Sequence, residues 1–257
     1  MPNTFLGGHI MSRIPKEPEE IFPGIIEDYT QLFGDDLISI ILYGSAASGD
    51  YVAGKSDINL MIVVSEQGID SLDGTFDLIA KWKKRNVATP LFLTEEYVKT
   101  SLDVFPIEYL NFQNSYELVY GKDILKDLSF DREFLRMQCE REVKGKLLLL
   151  REAFLESQGK GKHLQQLIAQ SLGAFVAIFN GLLHLKGKGL PRYKREVIKQ
   201  VCDAFDMDTR LFERLLDFKE KRVKLTDTEI ASLFEAYLKE VQKLWKLVDR
   251  LDKEDVK

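Results

Sequence analysis

The sequence predicts an α/β domain, a small mixed sheet flanked by helices, followed by an all-α helical bundle. Three observations carry this expectation. A length of 257 residues suits two domains. Up to about Gly121 short, β-branched apolar runs alternate with helix-like segments, and after Asp123 only long helical periodicities remain. The expected boundaries are 14–125 for the first domain and 126–257 for the second.

Glu19–Leu32 reads as an amphipathic helix through Ile21, Ile25, Ile26, Tyr29 and Leu32, with Pro23-Gly24 disturbing its first turn. Leu37–Tyr43 is nearly continuous apolar sequence, as a buried strand requires. Gly44–Gly49 is a turn of small residues able to open a helix, and Ile58–Val64 is a second buried strand. Asp70–Lys84 reads as a helix carrying Leu72, Phe76, Ile79 and Trp82 on one side, weakened at Gly74. Ala88–Leu93 is the third expected strand, Thr94 caps a short helix opened by Glu95 and Glu96, and Val104–Phe112 is the fourth strand.

The second half reads as helices over Asp131–Ser157, Lys162–Lys186, Pro191–Phe205, Asp208–Lys221 and Asp227–Leu251. The last is the most regular: Leu233, Phe234, Tyr237, Leu238, Val241, Leu244, Trp245 and Val248 repeat at helical spacing. Phe175, Phe179, Phe234 and Trp245 are expected in the bundle core.

Composition narrows the function. The chain is 45% hydrophobic and 30% charged, as globular proteins are, and no apolar run reads as long enough to span a bilayer. Met1–Ile10 lacks the basic start and apolar core of a secretory signal, so a cytoplasmic location is expected. Cys139 and Cys202 lack metal-ligand spacing and read as buried thiols. A net charge of −5 disfavours a general nucleic-acid coat. The one basic stretch, Lys186–Arg195, reads as a solvated interhelix loop, the alternative being a seat for an RNA backbone with Tyr193 stacking on a base. His9, His163 and His184 are too sparse for hydrolase chemistry.

Chemistry gathers between the first two strands. Gly44 has no Cβ, so a triphosphate can approach the backbone there. Ser45 adds an amide and a hydroxyl where a helix begins. Asp57 and Asn59, two residues apart at a strand start, point the same way and offer oxygen ligands of the kind Mg²⁺ takes. Lys55 is placed to steady a phosphate, though a solvent-facing loop position explains it as well.

Gly44-Ser45, the spacer and Asp57-Ile58-Asn59 resemble the DNA polymerase β-like nucleotidyltransferase superfamily. Among its members the chain looks most like the two-domain bacterial enzymes of the kanamycin and other aminoglycoside nucleotidyltransferase type. The resemblance implies that Gly44 and Ser45 hold the β- and γ-phosphates and that Asp57 and Asn59 hold metal. It also implies a third carboxylate on a later strand, which binds metal and takes the proton of the attacking hydroxyl. Glu108 is assigned to that role, with Asp103 as the nearby alternative.

The departure is Asn59, where the family carries Asp. The missing charge weakens attraction for a divalent ion by on the order of a few kcal/mol, and about 1.4 kcal/mol is tenfold in rate. The expected function is therefore transfer of a nucleoside monophosphate from an NTP to an acceptor hydroxyl, with Mg²⁺ (or Mn²⁺) and release of pyrophosphate. The alternative is an NTP-binding regulatory or protein-interaction module that has lost transfer. A small-molecule acceptor is expected before nucleic acid, with no membrane partner and with pairing of two copies through the helical half as a further possibility.

Overall fold

The structure, a computed structural model, describes residues 13–251. His9 and the segment Met1–Ile10 lie outside the described residues. In chain order the elements are α1 (Phe22–Phe33), β1 (Leu37–Tyr43), α2 (Ser45–Ser48), β2 (Asn59–Val64), α3 (Glu66–Ile69), α4 (Phe76–Lys83), β3 (Leu91–Leu93), α5 (Glu95–Thr100), α6 (Pro106–Asn114), β4 (Tyr116–Gly121), α7 (Arg132–Ser157), α8 (Gly161–Leu185), α9 (Lys194–Ala204), α10 (Thr209–Lys219) and α11 (Asp227–Val248). The chain forms two compact units, Met1–Lys99 with Ser115–Lys126, and Thr100–Asn114 with Asp127–Lys257. A single cut after residue 125 therefore differs from the observed division in two respects: the segment Thr100–Asn114 is grouped with the helices, and Lys126 stays with the first unit.

In the first unit four strands lie in the order β3-β2-β1-β4. β1 is antiparallel to β2 and β4, while β2 and β3 run parallel, so the sheet is mixed as expected. One face buries Ile40, Leu42, Leu60, Ile62 and Val64 against Ile25, Tyr29 and Phe33 of α1, with Trp82 and Val87 completing the core. The Trp82 indole donates to Asp28 at 2.8 Å, so its polar edge is satisfied where the ring is buried.

Two expectations in this unit are corrected. Asp70–Lys84 is not one helix: a 3₁₀ turn at Leu72–Thr75 precedes α4, and the Asp73 carboxylate accepts from the Gly74 amide at 3.0 Å. Such local capping competes with helix continuation, and Phe76 is left exposed while Trp82 is buried. Val104–Phe112 is not a strand: Pro106 opens α6, and Ile107, Leu110 and Asn111 fall at helical spacing on its inner side. The fourth strand is β4, which follows directly after α6. It ends at Gly121, with φ +80°, where an added Cβ would lie 2.0 Å from the Ile38 carbonyl oxygen.

The second unit is the expected helical bundle. Asp131 caps α7 by accepting from the Glu133 and Phe134 amides, Asp208 caps α10, and Thr226 with Glu229 forms a capping box on α11. Phe175, Phe179, Phe212, Phe234 and Tyr237 are buried and meet largely edge to face. Trp245 is only partly buried, with Lys144 and Lys246 over its ring. α6 is fastened to the bundle by polar contacts: the Ile107 amide donates to Gln138 Oε1 at 2.7 Å, and Asn111 Nδ2 donates to the Ala177 carbonyl at 3.1 Å. α8 corrects the reading that no segment has the length and hydropathy to cross a bilayer, since Gly161–Leu185 does by composition alone. Leu164, Ile168, Leu172, Phe175 and Phe179 of this helix lie in the bundle core, which accounts for its apolar character.

Candidate functional site

The end of the first unit's sheet brings Gly44, Asp57 and Asn59 together. β1 and β2 pair so that Tyr43 lies opposite Asn59, and the chain leaves β1 into Gly44. Gly44 takes φ +76°, ψ −150°, a conformation L residues avoid. A Cβ there would come 3.2 Å from Asn59 Nδ2, so the turn lies bare against the Asn59 amide. Ser45 then begins the four-residue α2. The Ala47 and Ser48 amides already bond to the Gly44 carbonyl, whereas the Ser45 and Ala46 amides precede the first intrahelical acceptor.

Asp57 is exposed immediately before β2. Its neighbours are held on both sides by one residue that the sequence reading missed, Asn86. The Asn86 side chain donates to the Ser56 carbonyl at 2.8 Å, and the Ile58 amide donates to the Asn86 carbonyl at 2.9 Å. Asn86 does this from φ +65°, a region that Asn tolerates better than most residues. The clue in the sequence is only an Asn after a run of lysine and arginine, since its partners lie about thirty residues upstream. Lys55 is exposed in the turn between Val52 and Ser56 and makes its backbone bond to the Val52 carbonyl at 3.0 Å.

Strand register decides which side chains share a face with Asn59. Directly paired residues point to the same side, so Tyr43 and Tyr116 lie in its row, and Leu42, Leu60 and Glu117 lie on the opposite, core-facing side. The Tyr43 phenol is half-buried, and burial raises its pKa, so it stays protonated as a donor. Tyr116 donates to the Asp123 carboxylate at 2.8 Å. On the other flank Ile58 bridges Val87, which places Asn86 and Ala88 on the side of Asp57 and Asn59. Neither is acidic.

Glu108, expected on a strand, lies on α6 in the helical unit, and its carboxylate accepts from Gln138 Nε2 at 2.7 Å. The alternative, Asp103, lies exposed in the turn before that helix. The sheet's own acid, Glu117, has its pKa raised by burial and then by Glu19. It stands on the face away from Asn59. Among the described residues no three His, Cys, Asp or Glu side chains converge as metal ligands. The basic stretch is partly committed elsewhere, with Arg195 paired to both Asp217 and Glu220 at 2.9 Å.

The first unit thus sets a Gly-Ser turn at the end of β1 and Asp-x-Asn at the entry to β2 in a mixed sheet flanked by helices. Among solved structures the chain is similar to a spectinomycin adenyltransferase, AAD(9) from Enterococcus faecialis, crystallised with ATP and spectinomycin. The similarity spans 87% of this chain and 99% of that one at 12% identity and a TM-score of 0.49. No family model matches the chain, and no curated protein does.

Proposed function

We propose that the Gly44–Asn59 end of the first unit binds the triphosphate of an NTP, and that its activity is transfer of the nucleoside monophosphate to an acceptor hydroxyl. The observation that carries this reading is the bare Gly44 turn lying against Asn59, with Ser45 beside it and Asp57 exposed next to both. An anion can reach backbone and amide donors there that a side chain at position 44 would cover. In the transfer step the acceptor oxygen bonds to the α-phosphorus as the bond to pyrophosphate breaks, and the hydroxyl proton passes to a carboxylate. Glu108 lies on α6 in the second unit, where Gln138 holds its carboxylate, and it is given no part in this step; a small molecule is the proposed acceptor.

The residues do not fit a pair of protein-held Mg²⁺ or Mn²⁺ ions. The Asn59 amide turns its nitrogen to the Asp57 carbonyl, at 3.4 Å, and the neighbouring strand contributes Asn86 and Ala88. Two metals bridging a nucleotide call for several anionic oxygens at one place. That mismatch favours a second reading, an NTP-binding regulatory or interaction module.

One experiment separates them: pyrophosphate release from each NTP with candidate acceptors, alongside calorimetric binding of the same NTPs. Release that disappears in Asp57→Ala establishes transfer. Binding without release establishes the regulatory reading, and absence of binding with or without divalent metal rejects both.

A further inference from the structure

We infer that Asn59 binds a phosphate oxygen directly, through its amide N–H, and that the protein takes its NTP without a metal ion held by the chain. The inference rests on the reading that the triphosphate lies over Gly44 and Ser45.

Amide orientation carries the first step. The side chain of Asn59 lies 3.4 Å from the Asp57 carbonyl oxygen through Nδ2. A carbonyl accepts and never donates, so the NH₂ end, and not the amide oxygen, must face it. The same Nδ2 is the atom nearest the place a Cβ would occupy on Gly44, at 3.2 Å. An NH₂ group has two hydrogens. One is directed at the Asp57 carbonyl, and the other is left for whatever lies over the glycine. A cation is repelled by that hydrogen, and a phosphate oxygen accepts it.

The surroundings carry the second step. Among the described residues no three acids converge as metal ligands; the positions flanking Asn59 on its side are Tyr43, Asn86 and Ala88, and Tyr116, one strand further, is bonded to Asp123. Glu117 stands on the other face. Without a metal between them, the Asp57 carboxylate and a triphosphate repel each other. Asp57 thus opposes metal-free binding, whereas a metal ligand would promote it. The sign of an Asp57→Asn substitution distinguishes the two arrangements.

The test measures binding of ATP, GTP, CTP and UTP to the full chain by calorimetry, in EDTA and in Mg²⁺. Far-UV circular dichroism on every variant confirms folding. Wild-type protein is expected to bind at least one NTP in EDTA within about tenfold of its affinity in Mg²⁺. Asn59→Asp should lose about tenfold or more of the EDTA affinity, since a second carboxylate replaces the donor. Asp57→Asn should bind more tightly in EDTA than wild type. Wild-type binding that vanishes in EDTA and returns with Mg²⁺ overturns the inference and leaves the nucleotide site standing. Weaker EDTA binding by Asp57→Asn also overturns it. No binding in either buffer refutes the nucleotide site itself.

Discussion

At residue 44 the backbone adopts φ +76°, and a Cβ there would stand 3.2 Å from Asn59 Nδ2. Gly44→Ala therefore carries two costs. A non-glycine residue in this sparsely populated region costs about 1–3 kcal/mol, and the new methyl group requires the Asn59 amide to give way slightly. The expected outcome is a stability loss of that size in urea titration, with NTP binding weakened further than the stability loss explains. A second residue, His184, reports on pH. It stands exposed near the end of α8 with its ring partly desolvated, which lowers its imidazole pKa from the ordinary 6.5, and the ring packs edge-on to Phe130 at 6.1 Å between centroids. Below the ordinary value the unfolded chain binds the proton and the folded chain resists it. Stability from this group is complete above about pH 6.5 and is lost as pH falls toward the lowered folded value. His184→Gln should flatten that acid limb, measured as the difference in melting temperature between neutral and mildly acidic buffer. Gly44, Asp57 and Asn59 were legible in the sequence because strand ends and a glycine turn place them locally. Asn86 was not, because its role exists only once the chain folds back on Ser56 and Ile58.

Among the elements, α6 and β4 show where sequence periodicity deceives. Val104-Phe105-Pro106-Ile107 is as β-branched and aromatic as a strand, yet the proline supplies a helix start and Ile107 and Leu110 bury one turn apart. Tyr116–Gly121 alternates less plainly, with Glu117 and Leu118 both exposed, so pairing with β1 decides its state. The polar contacts of α6 give a sharp prediction. Gln138 is buried and accepts from the Ile107 amide, so Gln138→Leu leaves that buried N–H unpaired. The expected cost is about 1–3 kcal/mol in equilibrium unfolding. Glu108→Gln at the far end of the same side-chain contact keeps an acceptor for Gln138 Nε2, and its stability should stay within about 0.5 kcal/mol of wild type. That contrast shows which end of the side-chain contact carries the stability.

For the whole molecule, the boundary is the main thing the sequence concealed. Composition changes once, near Asp123, while the chain passes between the units at Lys99/Thr100, Asn114/Ser115 and Lys126/Asp127. A fragment ending at residue 125 keeps α6 but loses the helices against which Ile107 and Leu110 are buried. It should be less soluble than the full chain, as light scattering at matched concentration would show. The bundle itself was readable to within three residues at each helix end, closest where caps such as Asp131, Asp208 and Thr226 mark helix starts locally.

The place of β4 in the sheet sets a schedule for synthesis. β1 is made early, yet its second edge stays open until Tyr116–Gly121 arrives, and α6 must be translated first. As the chain emerges from a ribosome, α6 is then out with its apolar side uncovered until α7 and α8 are made. For that interval the nascent chain presents both an unpaired strand edge and an uncovered helix, the two surfaces that chaperones shield. Slowing translation just after residue 121 should lengthen the exposure and lower the yield of folded protein, whereas a pause after residue 185 should do neither.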